Sequence, residues 1–401
     1  MRRNKQIVKV LVYFGIFKLL FIGLALLLQQ NFMQVFEIQN LGSKDFSFND
    51  MYYRVKLKEG LEYSPHFSKK KTVVLINSGS LDRENFRYAL SRVLYRLERF
   101  EPLAIGIDHT FSKKSAQADS STHQLKEAIT TTSNLVLAKI PSESQSSIQF
   151  NRPLGEVELP VVHFSIRYYK DGPQTFASKL GEAAGFEKDD YNESDGKFPI
   201  HYSSVQNGLV HWLNMENHLY DINFKYVEAP ELFDTSQFKA LKKILRNKIV
   251  IIGHLGSPDA FNLFDVEDKH PVPVDTNNVA NRERIMPGAV IHANALENII
   301  HPKNKFSEWK GLTLLLLTEL VFLLYLIFIM FTEFGKLFNV LLLAIISFPL
   351  IYLVLFMMEG GVYVTLGVTL LQLLMVEEVL EIIDFIYDKL RRLQPSKKQK
   401  E

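Results

Sequence analysis

Apolar residues crowd the two ends of the chain, and between them short apolar runs alternate with amphipathic stretches. The first run, Ile7–Leu28, follows Met1-Arg2-Arg3-Asn4-Lys5 and precedes Gln29-Gln30-Asn31-Phe32, with no small-residue cleavage pattern. At ~1.5 Å per residue such a run spans a ~30 Å bilayer, so it reads as an uncleaved anchor. From about Glu308 the chain is apolar almost to its end. Gly311–Phe331 is one span and Leu337–Met357 a second, closed by the turn Met358-Glu359-Gly360-Gly361. Val362–Val376 is a third, short, with a helical pattern that runs on past Val376.

The middle alternates strand-like runs with helical patterns, which predicts an α/β domain with a mostly parallel central sheet. Thr72–Asn77, Leu103–Asp108, Leu135–Ile140, Val161–Tyr169, Phe198–Ser203 and Lys248–Gly253 read as strands. Arg83–Phe100, Asp119–Thr132, Phe176–Ala184, Phe238–Leu245 and Ala289–Ile300 read as helices. Pro141–Leu159 and Gly256–Met286 read as loops. The expected organisation is 1–30 (cytoplasmic residues and first membrane helix), 31–308 (extracytoplasmic domain), 309–388 (three further membrane helices) and 389–401 (basic tail).

Charge decides orientation. Arg2, Arg3 and Lys5 precede the first span, and Lys389, Arg391, Arg392, Lys397, Lys398 and Lys400 follow the last. The positive-inside rule therefore places both termini in the cytoplasm of an inner-membrane protein, with the middle facing outward. Lys303, Lys305 and Lys310 end a long translocated domain, where charge has little influence. The 401 residues carry 46 Lys+Arg against 44 Asp+Glu, which gives no electrostatic footprint for nucleic acid. The absence of cysteine excludes disulfides, thiolate metal sites and cysteine nucleophiles.

Two charges fall inside spans. Lys18 lies about 16 Å from the cytoplasmic end of its helix and Glu319 about 18 Å, the same depth. A mutual ion pair is the cheap solution; separate polar grooves or snorkelling are the alternatives.

The turn after Thr72–Asn77, a strand ending in Asp108 (Ile105-Gly106-Ile107-Asp108-His109-Thr110-Phe111), the segment Asn247–Gly253 followed by Asp259, and above all Met286-Pro287-Gly288-Ala289-Val290-Ile291-His292-Ala293-Asn294 resemble the CHASE sensory domain of the second type. That family's usual layout, one helix before the domain and three after it, agrees. The resemblance implies an extracytoplasmic sensor. Asn77 stands where an acidic residue is usual, and Asp82-Arg83-Glu84-Asn85-Phe86-Arg87 replaces a Trp-Pro-rich stretch ending in Arg. The cytoplasmic kinase or cyclase output usual in the family is not encoded after Arg391, so a separate cytoplasmic or envelope protein is the expected output.

Open α/β sheets bind ligands at the C-terminal ends of their strands, which makes Asn77, Asp108, Gly253 and Asp259, with His292, the candidate ligand site. Helix capping and turn fixing are the alternative roles for the two Asp residues, and a structural hydrogen bond that for His292. Gly253-His254-Leu255-Gly256-Ser257 lacks the lysine of a P-loop. His211 and His218, seven apart, would share a helix face but match no zinc motif, and Asp190–Gly196 departs from a calcium loop. No metal, no cofactor and no enzyme activity is expected. Val376, Val379, Ile383, Ile386, Leu390 and Leu393 recur with heptad spacing, which makes Ile383, Ile386, Leu390 and Leu393 a candidate homodimer seam; an amphipathic helix on the membrane surface is the alternative. The expected function is a membrane sensor that reports ligand or envelope-partner binding to another protein; the rival is a scaffold in an envelope complex with no small ligand.

Overall fold

The computed structural model of the chain describes residues 10–19, 71–82, 84–111, 120–140, 152–159, 166, 168–170, 172–186, 197–202, 209–213, 224–255, 269–272, 285–301, 306–308, 311–331 and 336–363, with 376, 380, 381, 383, 385 and 389 beyond them. Two units separate, Met1–Met51 with Ser307–Glu401 and Tyr52–Phe306. Helix α1 (Val10–Leu19) lies in the first.

In the second unit β1 (Val73–Asn77), helix α2 (Phe86–Glu98), β2 (Ala104–Ile107), α3 (Ser120–Thr131), β3 (Leu135–Lys139) and β4 (Leu154–Glu156) follow in turn. A separate antiparallel pair, β5 (Tyr168–Lys170) and β6 (Lys197–Pro199), flanks α4 (Phe176–Ala183). Then come β7 (Leu209–His211), β8 (Phe224–Glu228), a 3₁₀ turn (Ala229–Phe233), α5 (Phe238–Leu245) and β9 (Ile249–Gly253). The small antiparallel pair β10 (Lys269–Pro271) and β11 (Ile285–Pro287) leads into α6 (Gly288–Ile300).

Seven of these strands form one sheet in the order β4-β3-β2-β9-β1-β8-β7, and every neighbouring pair is parallel. β9 occupies the centre, which explains its unbroken run Ile249-Val250-Ile251-Ile252: both of its faces are covered. The connections β1→β2, β2→β3 and β8→β9 all step the same way across the sheet, so right-handed crossovers stack α2, α3 and α5 on one face. Leu90, Val93, Leu94 and Leu97 of α2 meet Val74, Ile76, Ile105, Ile107, Val250 and Ile252 there. Glu101, Asn134 and Asn247 have φ of 58°, 47° and 55° and turn the chain after α2, α3 and α5 towards the next strand.

The opposite face receives α4 and α6, and both pack closely. A Cβ on Gly106 would lie 2.7 Å from Leu180 Cδ1 and 2.8 Å from Phe176 Cζ, and one on Gly253 would collide with the Ala289 methyl. Pairing a glycine on the strand with glycine or alanine at the start of α6 lets helix and sheet approach.

Several sequence expectations need correction. β4 lies inside the stretch read as a loop, an edge strand too short and polar to show a period. β7 and β8 carry no clear alternation in the sequence and were not expected, although β8 is an interior strand of the sheet. β5 and β6 pair with each other outside the main sheet. His211 sits on β7, not on a helix shared with His218, and its Nε2 is bonded to Glu231 at 3.1 Å. His218 and Asp190–Gly196 lie outside the described residues.

The first unit contains α7 (Gly311–Phe331) and α8 (Lys336–Glu359). Among the described residues, Leu341–Glu359 is the one stretch long and apolar enough to cross a membrane; Val10–Leu19 and Glu319–Ile329 are shorter apolar helical stretches. Ser307–Glu308 (β12) pairs in parallel with Val362–Tyr363 (β13), and Ser307 N donates to Gly361 O at 2.8 Å. Val362 and Tyr363 are thus extended rather than the start of a span, because Gly361, at φ +81°, has ended the helical path. Val10, Tyr13 and Phe17 pack with Phe322, Tyr325, Leu326, Val376, Leu380 and Ile383. Lys18 Nζ lies 2.6 Å from Glu319 Oε1 and 4.6 Å from the centre of the Phe322 ring.

Candidate functional site

Strand register assembles the rim. Asn77 ends β1 opposite Gly253 of β9 and Glu228 of β8, and Asp108 N donates to Ile252 O at 2.8 Å. Counting alternately along the strands, Asn77, Asp108, Glu228 and Gly253 all fall on the face that α6 covers. Asp108 and His109 are half-buried, whereas Asn77 and Glu228 are buried.

Asn77 acts as a clamp. Its Oδ1 accepts from Gly79 N and Leu255 N, each at 3.0 Å, so it fixes the turns after both β1 and β9. Its Nδ2 donates to both carboxylate oxygens of Glu228, at 3.1 and 3.0 Å. An acidic residue here would set carboxylate against carboxylate, which gives the asparagine a physical reason. Burial pushes the Glu228 carboxyl above the usual range, against hydrogen bonds from Asn77 and Ser80 that favour the charged form. Next to it Ser78 Oγ meets His109 Nε2 at 2.8 Å, and the Phe86 ring stands edge-on to His109.

Behind the rim, His292 on α6 bonds through Nδ1 to Tyr169 OH at 2.9 Å, and both residues are buried. Ala177 N, in the first turn of α4, donates to the Tyr169 oxygen at 3.3 Å. The Tyr169 hydroxyl thus joins the Ala177 backbone to the His292 ring. Burial holds the Tyr169 hydroxyl far above its ordinary range, and the nearby Asp108 charge pushes the same way. Phe176 packs edge-on to the His292 ring at 5.4 Å.

Four of the expected site residues, Asn77, Asp108, Gly253 and His292, are therefore on one face at one end of the sheet. Gly253 serves the close approach of α6, and Asp259 lies outside the described residues. Glu228 and Tyr169 were missed: Glu228 ends a strand that carries no sequence period, and Tyr169 was read only as a strand residue. Among the described residues no cluster of His, Asp and Glu could hold a metal ion. Asn77 and Glu228, and likewise Tyr169 and His292, are buried and paired with one another, whereas Asp108 and His109 are half-buried.

The family model for the CHASE2 domain matches residues 19–330. The chain belongs to the CHASE2 family. CHASE2 domains are extracellular sensory domains of membrane proteins, so the rim described above belongs to a domain of a sensory class. No curated protein and no solved structure matches this CHASE2 chain.

In the first unit, Ile383 of the candidate seam is buried against the chain's own α1 and α7, so this position is already covered. Ile386, Leu390 and Leu393 lie outside the described residues.

Proposed function

We propose that this CHASE2 chain is a multi-pass inner-membrane sensor that binds a ligand or envelope partner at the Asn77–Asp108–His292 rim and reports to a separate protein. It is not an enzyme in this reading, and it uses no cofactor. The observation that carries it is the gathering of Asp108, His109, Glu228 and the Tyr169–His292 pair at the strand ends, the position where open parallel sheets bind ligands. Both termini are cytoplasmic and the α/β domain lies outside. The full chain in detergent, heated with a panel of small polar metabolites, should be stabilised by at least one of them, and Asp108→Asn should abolish that shift without lowering the unliganded midpoint. Impermeant maleimide should label Ser43→Cys, Ser120→Cys and Gly360→Cys from outside but not Asn4→Cys, Gly335→Cys or Ser396→Cys. Outside labelling of Ser396→Cys would remove the four-span arrangement.

A second reading, a scaffold with no small ligand, is favoured by one observation. The Asn77 amide is wholly occupied by groups of the domain itself. Absence of any thermal shift, together with an envelope protein that survives detergent extraction with the chain, would select it. A homodimer through Ile386, Leu390 and Leu393 belongs to either reading.

A further inference from the structure

We propose that α6 is a lever running through the domain, which couples the strand-end rim to the opposite end of the sheet, where β1 starts, with Glu297 as its latch on β1. A helix on the surface of an α/β domain keeps one face in water. α6 does not: every residue except Ile299 is buried. It lies against β1 and β9 on one side and against α4 and the β5–β6 pair on the other.

The polar residues of this buried helix are directed to different elements. Near its start His292 holds Tyr169 of β5. Near its end Asn298 Oδ1 accepts from His201 N at 2.7 Å and Asn298 Nδ2 donates to His201 O at 3.0 Å, so one side-chain amide replaces a neighbouring strand for the residues after β6. Glu297, fully buried, accepts through Oε1 from Thr72 N at 2.5 Å and Val73 N at 2.8 Å. His301, which caps the helix, places Nε2 3.0 Å from Thr72 Oγ1 and 3.4 Å from Glu297 Oε2. The start of β1 is thus fastened to the end of α6. In sequence, β1 follows the segment leading from α1, and α6 is followed closely by α7.

One charged side chain stands within this fastening. Lys71 is buried, its Nζ has no hydrogen-bond partner among the described residues, and it lies 5.6 Å from the Phe224 ring centre. Glu297 is the anion that favours its charge, while the Lys248 ammonium is engaged with the Lys71 carbonyl. Leaving a buried ammonium without acceptors is costly, so the cluster resists rearrangement only while Glu297 remains in place. His292 and Glu297 each bond to another element, and they are five residues apart on one rigid rod, about 7.5 Å along its axis. A shift of α6 that follows a change at the Tyr169–His292 end must therefore either break the Glu297 bonds or carry the start of β1 with it. The coupling is reciprocal by linkage.

This inference stands whether the rim takes a small ligand or a protein. It is tested by amide hydrogen exchange on the full chain in detergent, comparing wild type with Tyr169→Phe, Glu297→Gln and Leu94→Ala. Tyr169→Phe removes one hydroxyl at the rim and should speed exchange of the Thr72 and Val73 amides about tenfold, with β3 unchanged. Glu297→Gln, which keeps an acceptor oxygen but no charge, should speed the same two amides and also the Ala177 amide beside Tyr169. Leu94→Ala acts on the other face of the sheet and should speed exchange broadly, without singling out Thr72 and Val73. Changes confined to the neighbourhood of each substitution, or a Leu94→Ala pattern matching that of Tyr169→Phe, would overturn the lever.

Discussion

On one side of β1, Val74 and Ile76 meet a layer of leucines from α2, while on the other side Val73, through its backbone, and Asn77 meet Glu297 and Glu228. The first face is apolar, and its few buried hydroxyls are bonded within the helical layer: Ser91 donates to the Tyr88 carbonyl of α2, and Thr122 of α3 accepts from Arg87 of α2. The second carries most of the buried polar groups among the described residues, and His292, Glu297 and Asn298 tie it to elements distant in sequence. The first face supplies stability that depends on volume. The second supplies position, which depends on individual atoms.

The sharpest way to break the first face is Leu94→Ala. Leu94 is fully buried in the α2 layer, so the change should cost about 2–5 kcal/mol, read by chemical denaturation of the full chain in detergent. A loss under about 1 kcal/mol would mean that this layer is not the main core.

That face was legible in the sequence because its signals are local. The apolar stripe of α2 and the run of β9 were both read in place, and Asn134 and Asn247 are residues that tolerate a left-handed backbone. Glu101, in the same conformation, gave no such sign. The second face was only half legible. Asn77, Asp108 and His292 were found through strand ends and a motif, but their partners Glu228 and Tyr169 come from segments whose placement depends on tertiary contacts. β8 shows the reason: its sequence Phe224-Lys225-Tyr226-Val227-Glu228 mixes both periods, and only its neighbours β1 and β7 define it as a strand.

Next in size is a pH effect at the far end of β1. Burial lowers the Lys71 ammonium to about 8 from 10.5, with Glu297 opposing. Between these values the folded chain has released a proton that the unfolded chain still holds, so this group makes stability rise with pH through that window, and its cost is fully present below about pH 8. The stability of wild type relative to Lys71→Met should therefore improve by up to about 3 kcal/mol from pH 7.5 to 10.5. A difference that stays flat in thermal unfolding across this range would show that Lys71 is hydrated.

The smallest effect sharpens the contrast at the rim. Asn77→Asp keeps the acceptor for Gly79 and Leu255 but replaces the donor to Glu228 with a second carboxylate. A loss of about 1–2 kcal/mol at pH 7 is expected, partly recovered at pH 5, where the pair takes up a proton. A loss independent of pH would assign the asparagine a purely steric role.

The one-sided crossovers have an evolutionary consequence. Because α2, α3 and α5 make the strand-to-strand connections on a single side, the chain reaches from β4 at one edge to β7 at the other by way of β5, α4 and β6, none of which joins the main sheet. Insertions or deletions between β4 and β7 leave the strand order intact, so relatives can vary this link while inheriting the same scaffold. Diversity among CHASE2 domains should accumulate along that link, and α2, α3 and α5 should change mainly by exchanging one apolar residue for another.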